Sequence, residues 1–174
     1  MVVPLPTMSS SGAGTKGPVV ILPVSEMADA LNASGEKRAL ALPHLVNRYI
    51  NACIGGFFPM CTCVMGASTA AAVGIVYLLG GTDAQLGCAV RNMAGTVTGM
   101  ICDGGKAGCA LKAAAGSAAA LLCAISAVHD APLRVGDGIC AETPEDCIRN
   151  MARIGNQGMA QTDAEILPIM ESRK

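Results

Sequence analysis

Tryptophan is absent from this 174-residue chain, and phenylalanine and tyrosine occur only twice each. Without aromatic platforms there is little for unpaired bases to stack on. A formal net charge of -1 and a pI near 6.1 leave no electrostatic footprint for a phosphate backbone. These absences exclude nucleic-acid binding from the expectations. Apolar residues in strict alternation are almost missing as well, which argues against sheets. The opening run M-V-V-P-L-P-T-M-S-S-S-G lacks the basic flank and continuous apolar stretch of a secretory signal, so a reducing cytoplasmic setting is expected. The nine cysteines, an odd count, then fit free thiols better than a closed disulfide framework.

What the chain does have is small and apolar. Hydrophobic residues make up 52% of it, and 21 glycines permit close approaches. The core must therefore come from Ala, Leu, Ile, Val and Met, which favours tightly packed helices. The expectation is an all-α fold: a single compact helical domain over 1–174, with Ala/Gly-rich buried helices, a Gly-rich N-terminal loop and a flexible start over 1–8. Two stretches carry no charge, Tyr49 to Thr82 and Ala113 to Val128. Gly55, Gly56 and Pro59 interrupt the first, and the second is short and mostly alanine, so buried central helices are expected rather than membrane spans.

Local signals place the elements. Ser9 to Gly17 reads as a polar loop, and P-V-V-I-L-P-V, bracketed by Pro18 and Pro23, as a brief extended segment. Ser25 to Leu31 and Glu36 to Ala52 read as helical, the latter kinking or restarting at Pro43. Gly66 to Leu79 reads as a small-residue helix ended by Gly80 and Gly81. Asp83 is the expected cap of a helix reaching about Met100, and the Ala-rich run after Cys109 is another helix. Thr143-Pro144-Glu145-Asp146 has the order of a helix start. Gly155 is expected to close that helix, and Thr162 with Glu165 to form a capping box for a last one containing Pro168.

The chemistry concentrates in M-I-C-D-G-G-K-A-G-C, Met100 to Cys109, with C-T-C at Cys61 and Cys63 upstream. On one continuous helix Cys102 and Cys109 would stand about 10.5 Å apart, too far for one compact centre. The chain must fold back between them, and Gly104, Gly105 and Gly108 allow that turn. Cys109 would then lie near the positive end of the following helix, where thiolates are favoured. The pattern points to a metal. One form is structural zinc on Cys61, Cys63, Cys102 and Cys109, although C-x-C and C-x6-C are not the usual close-paired spacings. Cys53, Cys88, Cys123, Cys140 and Cys147 read as small buried hydrophobes. His44 and His129 read as structural.

Several segments, in order, carry a family likeness: S-S-S-G-A-G-T-K-G, L-P-V, G-I-V-Y-L-L-G-G, N-M-A-G-T-V-T-G-M-I-C-D-G-G-K-A-G-C-A-L-K and G-M-A-Q-T-D. The sequence resembles the cluster-binding half of iron-sulfur-dependent L-cysteine desulfidases and related L-serine dehydratase alpha chains, from about Met8 to Met170. The resemblance implies a [4Fe-4S] cluster on Cys61, Cys102 and Cys109, with Cys63 the alternative third ligand and one iron open to substrate. It implies α,β-elimination from L-cysteine or L-serine, and a substrate-side loop at Ser11, Gly12, Gly14, Thr15 and Gly17 whose backbone amides form a nest for the carboxylate. Where relatives usually show asparagine then glutamine, this chain has Thr15 and Lys16. Lys106 and Lys112 match the motif, as solvated lysines or facing the centre, and Asp103 is a possible turn cap. The catalytic base belongs to a half that does not appear in this sequence, so the resemblance also implies a complementary beta-type subunit, a homo-oligomer, or both. A catalytically inactive interaction module of the same fold is the remaining alternative.

Overall fold

Seven α-helices run through residues 5–34, 40–55 and 59–172, which the computed structural model describes. They are α1 (Lys16–Ala30), α2 (Ala41–Ile54), α3 (Thr69–Leu78), α4 (Asp83–Val97), α5 (Gly108–Val128), α6 (Pro144–Arg153) and α7 (Thr162–Glu171). Wider π-helical turns lead into α3 at Cys63–Ser68 and extend α6 at Ile154–Gly158. Among the described residues β structure is limited to two isolated bridges, Ser10 with Ala13 and Met60 with Ile101. The all-α expectation therefore holds. The expected flexible start falls partly on residues 1–4, which lie outside the described residues.

Helix α3 forms the centre. Its sequence T-A-A-A-V-G-I-V-Y-L has no polar stripe, and a helix apolar all round can only be stable when enclosed. Every residue of it except Tyr77 is buried, and it packs against α1, α2, α4 and α5. Small side chains set the spacing. A Cβ on Gly116 of α5 would collide with Ser68 Oγ, so glycine lets α5 lie directly on the π-turn. At the far end of α3, Gly81 N–H donates to the Val76 carbonyl (2.9 Å) and Gly80 N–H to Tyr77 (3.0 Å), closing the helix as a Schellman motif at the expected glycines.

Several local expectations are corrected. The run P-V-V-I-L-P-V is not extended but the body of α1. Pro18 falls in the first turn, where its missing N–H is not needed, and burial of Val19, Val20 and Val24 offsets the bond lost at Pro23. Pro43 likewise sits in the first turn of α2, buried beneath Gly74, so the helix opens around it and is not kinked by it. The expected start of that helix at Glu36 lies outside the described residues. Thr82, not Asp83, caps α4: its Oγ accepts from Gln85 N–H (3.3 Å), while Gln85 Oε1 accepts from Thr82 N–H (2.9 Å). That helix stops at Val97 rather than Met100.

Toward the C-terminus, Thr143 Oγ accepts from Asp146 N–H (3.1 Å) and Pro144 opens α6, as its sequence indicates. Gly155 does not close that helix, because the π-turn carries it to Gly158. Thr162 is the first residue of α7 rather than its cap, and no capping box forms. Of the five cysteines read as core, Cys123, Cys140 and Cys147 are buried, whereas Cys53 and Cys88 are only half-buried. Helix α5 starts five residues before the charge-free run and spans 21 residues. It is the one described helix long and apolar enough to cross a membrane, with 28% of its most apolar window buried. It lies along α3 and α4.

Close approach at Gly17 fixes the N-terminal loop to α1, because a Cβ there would overlap the Met8 carbonyl oxygen. Gly14, three residues earlier, has open space where a Cβ would stand. Gly17→Ala is expected to lower stability by about 1–3 kcal/mol in denaturant unfolding, the usual cost of overpacking, with Gly14→Ala near neutral. Equal loss in both would show that the loop is not clamped at Gly17.

Candidate functional site

Cys61 stands at the junction of an extended segment and a helix start. The bridge between Met60 and Ile101 is held by Cys61 N–H donating to the Met100 carbonyl (2.7 Å) and Cys102 N–H to the Pro59 carbonyl (2.8 Å). In an antiparallel pair, residues flanking the bridged pair share a face, so Cys61 and Cys102 leave the ladder on the same side. The Cys61 carbonyl then accepts from Val64 (3.0 Å) and Met65 (2.9 Å), starting the helical run toward α3. The Cys63 thiol hydrogen-bonds to Cys61 sulfur, and backbone amides of Val64 and Cys63 add to it. Together they pull the Cys61 thiol down to about 6, against the opposing effect of burial. Cys63, which keeps the shared proton, is pushed up. A π-turn this close to two thiols is a common mark of a functional position.

The second pair is joined by the loop 102–109, which turns where Gly104 takes a φ of +86°. Cys109 is the second residue of α5. Its sulfur lies 3.5 Å from Lys106 N and 3.4 Å from the Gly104 carbonyl, so the loop wraps around it. Lys112, one turn on, pairs with the Asp103 carboxylate and donates to the Ile101 carbonyl (3.1 Å). Asp103 is thus an ion-pair partner and not a turn cap. The Lys112 ammonium is within electrostatic reach of both Cys61 and Cys109, and Cys109 is within reach of Cys63. Lys106 points elsewhere, its Nζ 3.5 Å from Met170 Sδ. Cys61 and Cys102 thus leave one short ladder on the same side, while Cys61 and Cys109 share the reach of Lys112 and Cys63 lies within reach of both.

The N-terminal loop is tied to α2 by polar side chains the sequence reading did not single out. Ser10 Oγ bonds to His44 Nδ1 (3.0 Å) and accepts from Asn47 Nδ2 (2.7 Å). Asn51 Nδ2 donates to Asn47 Oδ1 (2.9 Å), and Lys16 Nζ donates to Asn51 Oδ1. Two amides spaced four apart on one face of α2, Asn47 buried and Asn51 half-buried, are the signal that could have marked this network. His44 has the structural part expected of it, and His129 is the exposed cap residue ending α5. A cleft of about 480 Å³ opens beside this network, lined by Ser11, Lys16, Arg48, Asn51, Thr62 and Cys102 among others.

The five substrate-loop residues do not act as one surface. Ser11 faces this cleft, while Gly14 and Thr15 line a separate depression with Gly105, Lys106 and Cys109. Gly12 is exposed with φ +81°, beside Ser11 at φ +50°, and Gly17 is packed beneath Met8.

Among the described residues no three His, Cys, Asp or Glu side chains stand close enough to hold a single metal ion. A four-iron cube is several atoms across, and its ligands stand farther apart than those around one ion. The donor set is purely sulfur, as such clusters require. Lys16 and Lys112 place positive charge near the thiols, and thiolate clusters are anionic. The residues present fit the group.

The sequence matches the family described as "Serine dehydratase alpha chain" over residues 2–168. It is 40% identical over 172 residues to a UPF0597 protein of Clostridium tetani, covering 98% of this chain and 41% of that one. A UPF0597 protein of Desulforapulum autotrophicum is 41% identical over 169 residues, covering 96% and 38%. One from Phocaeicola vulgatus is 42% identical over 172 residues, covering 98% and 40%. The chain thus spans about two fifths of the length of the curated relatives it matches. No solved structure matches it. With thiols, glycine-rich loop and helical core all inside the matched region, this chain belongs to the serine dehydratase alpha chain family.

Proposed function

We propose that this chain carries the iron-sulfur centre of a lyase acting on a small β-substituted L-amino acid, L-cysteine or L-serine. The observation that supports this reading is the Met60–Ile101 bridge, which sends Cys61 and Cys102 off one face, together with Cys61 and Cys109 both lying within electrostatic reach of Lys112. These three would hold a [4Fe-4S] cluster. Cys61 is preferred to Cys63 because the bridge sends it off on the same face as Cys102. A cluster with one iron not held by cysteine supplies Lewis-acid stabilisation of a departing thiolate or hydroxide.

The chain's own residues do the rest of the work assigned to this half. Ser11 and the neighbouring loop amides contact the amino acid at the cleft. The Lys112–Asp103 pair fixes the loop between Cys102 and Cys109 without spending a thiol on it. Buried α3, with α5 packed along it, keeps the cysteine positions rigid. Loss of the α-proton and of the β-substituent leaves an enamine, which hydrolyses to pyruvate and ammonia; sulfide or water is the other product.

The base that removes the α-proton is assigned to a complementary polypeptide, corresponding to the part of the relatives' length that this chain does not span. Helix α5 offers a face for it: Leu111, Leu121, Leu122 and Ile125 are exposed on a helix whose other side lies on α3 and α4. A cytoplasmic setting fits nine free thiols and an oxygen-sensitive centre.

Two outcomes are expected. After anaerobic reconstitution, Cys61→Ala, Cys102→Ala and Cys109→Ala lose most bound iron and acid-labile sulfide, while Cys123→Ala keeps both; equal iron in all four contradicts the ligand set. Mixed with the complementary polypeptide, the reconstituted chain releases pyruvate from L-serine or L-cysteine. Alone it releases none, and turnover by the isolated chain would place the base here instead.

A further inference from the structure

Lys16 is a charged side chain in an unusual position. It is 6% exposed, and its ammonium donates to a neutral partner, the Asn51 amide oxygen. A buried ammonium is costly to hold, and beyond the nearby Cys61 and Cys63 thiols no acidic group among the described lining residues of the cleft meets this one. The cleft it lines holds a second cation, Arg48, together with the Ser11 and Thr62 hydroxyls, and no carboxylate among the described residues. Asn51 is held in turn by Asn47, so the lysine is aimed by an amide chain rather than left to rotate. Cys102 forms part of the same wall.

We propose that Lys16 and Arg48 form the carboxylate-binding subsite of this cleft, with Asn51 and Asn47 as positioning residues that orient Lys16. This rests on the reading of the chain as part of an amino-acid lyase, and it moves the main carboxylate contact from the loop amides to a buried cation. The nest is a weak candidate for that part, because Gly14, Thr15 and Gly17 do not face the cleft where Cys102 lies. Lys16 does face it. Burial pulls its ammonium below the ordinary value, and the nearby Cys63 and Cys61 thiols oppose that pull.

The test is a titration of the full chain with L-serine, and separately with L-serinamide, which lacks the carboxylate, followed by amide NMR shifts. L-serine is expected to give saturable shifts at Ser11, Lys16, Asn51 and Thr62, and L-serinamide none. Lys16→Gln and Arg48→Gln are each expected to weaken L-serine binding tenfold or more; Arg48 is exposed, so its variant tests the site without disturbing the core. Equal shifts with L-serinamide, unchanged affinity in both variants, or no saturable shift at the cleft would overturn the proposal. Iron and sulfide measured on the same samples keep the two readings apart. Lys16→Gln that takes up cluster normally but loses L-serine supports the subsite, whereas a parent chain that binds L-serine yet takes up no cluster sinks the lyase reading alone.

Discussion

Two backbone hydrogen bonds, Cys61 to Met100 and Cys102 to Pro59, join segments about forty residues apart and set the rest of the site. Without them Cys61 would begin one helix and Cys102 would follow another, with nothing to bring them to one side. With them, the chain enters the π-turn from a fixed direction, and the loop to Cys109 departs from the same short ladder. The buried α3, with α5 packed along it, supplies the stiffness. Gly116 brings α5 onto the π-turn, so the helix that bears Cys109 is braced against the turn that bears Cys63.

Electrostatics follows from that placement. Two helix starts point amide dipoles at Cys61 and Cys109, and one thiol shares its proton with its neighbour instead of both ionising. Lys112 adds positive charge while its own ammonium is held by Asp103. Lys16 comes near the thiols on an amide chain anchored in α2. Cys102 therefore belongs both to the short ladder it shares with Cys61 and to the lining of the cleft.

The helical class, the Schellman glycines after α3, the cap at Thr143 and the position of Cys109 at a helix start were legible in sequence, because each rests on chemistry local to a few residues. Pro18 and Pro23 misled, since packing of the valines between them outweighed the local penalty and made a helix of an apparent strand. Thr162 with Glu165 matched a capping pattern whose hydroxyl the backbone did not use. The amide network of Asn47, Asn51 and Lys16 stayed hidden because its members lie on two helices and meet only after folding. The split of the N-terminal loop between two depressions was equally beyond reach, since it depends on where Gly17 is pinned by Met8.

The central claim is that three cysteines hold one cluster while leaving an iron free for the amino acid. Mössbauer spectroscopy of the anaerobically reconstituted chain, with and without L-serine, tests it most directly. One iron subsite distinct from the others, and changed on adding L-serine, is the predicted result. Iron that is mononuclear, or a cluster whose subsites are equivalent and indifferent to L-serine, would contradict the account.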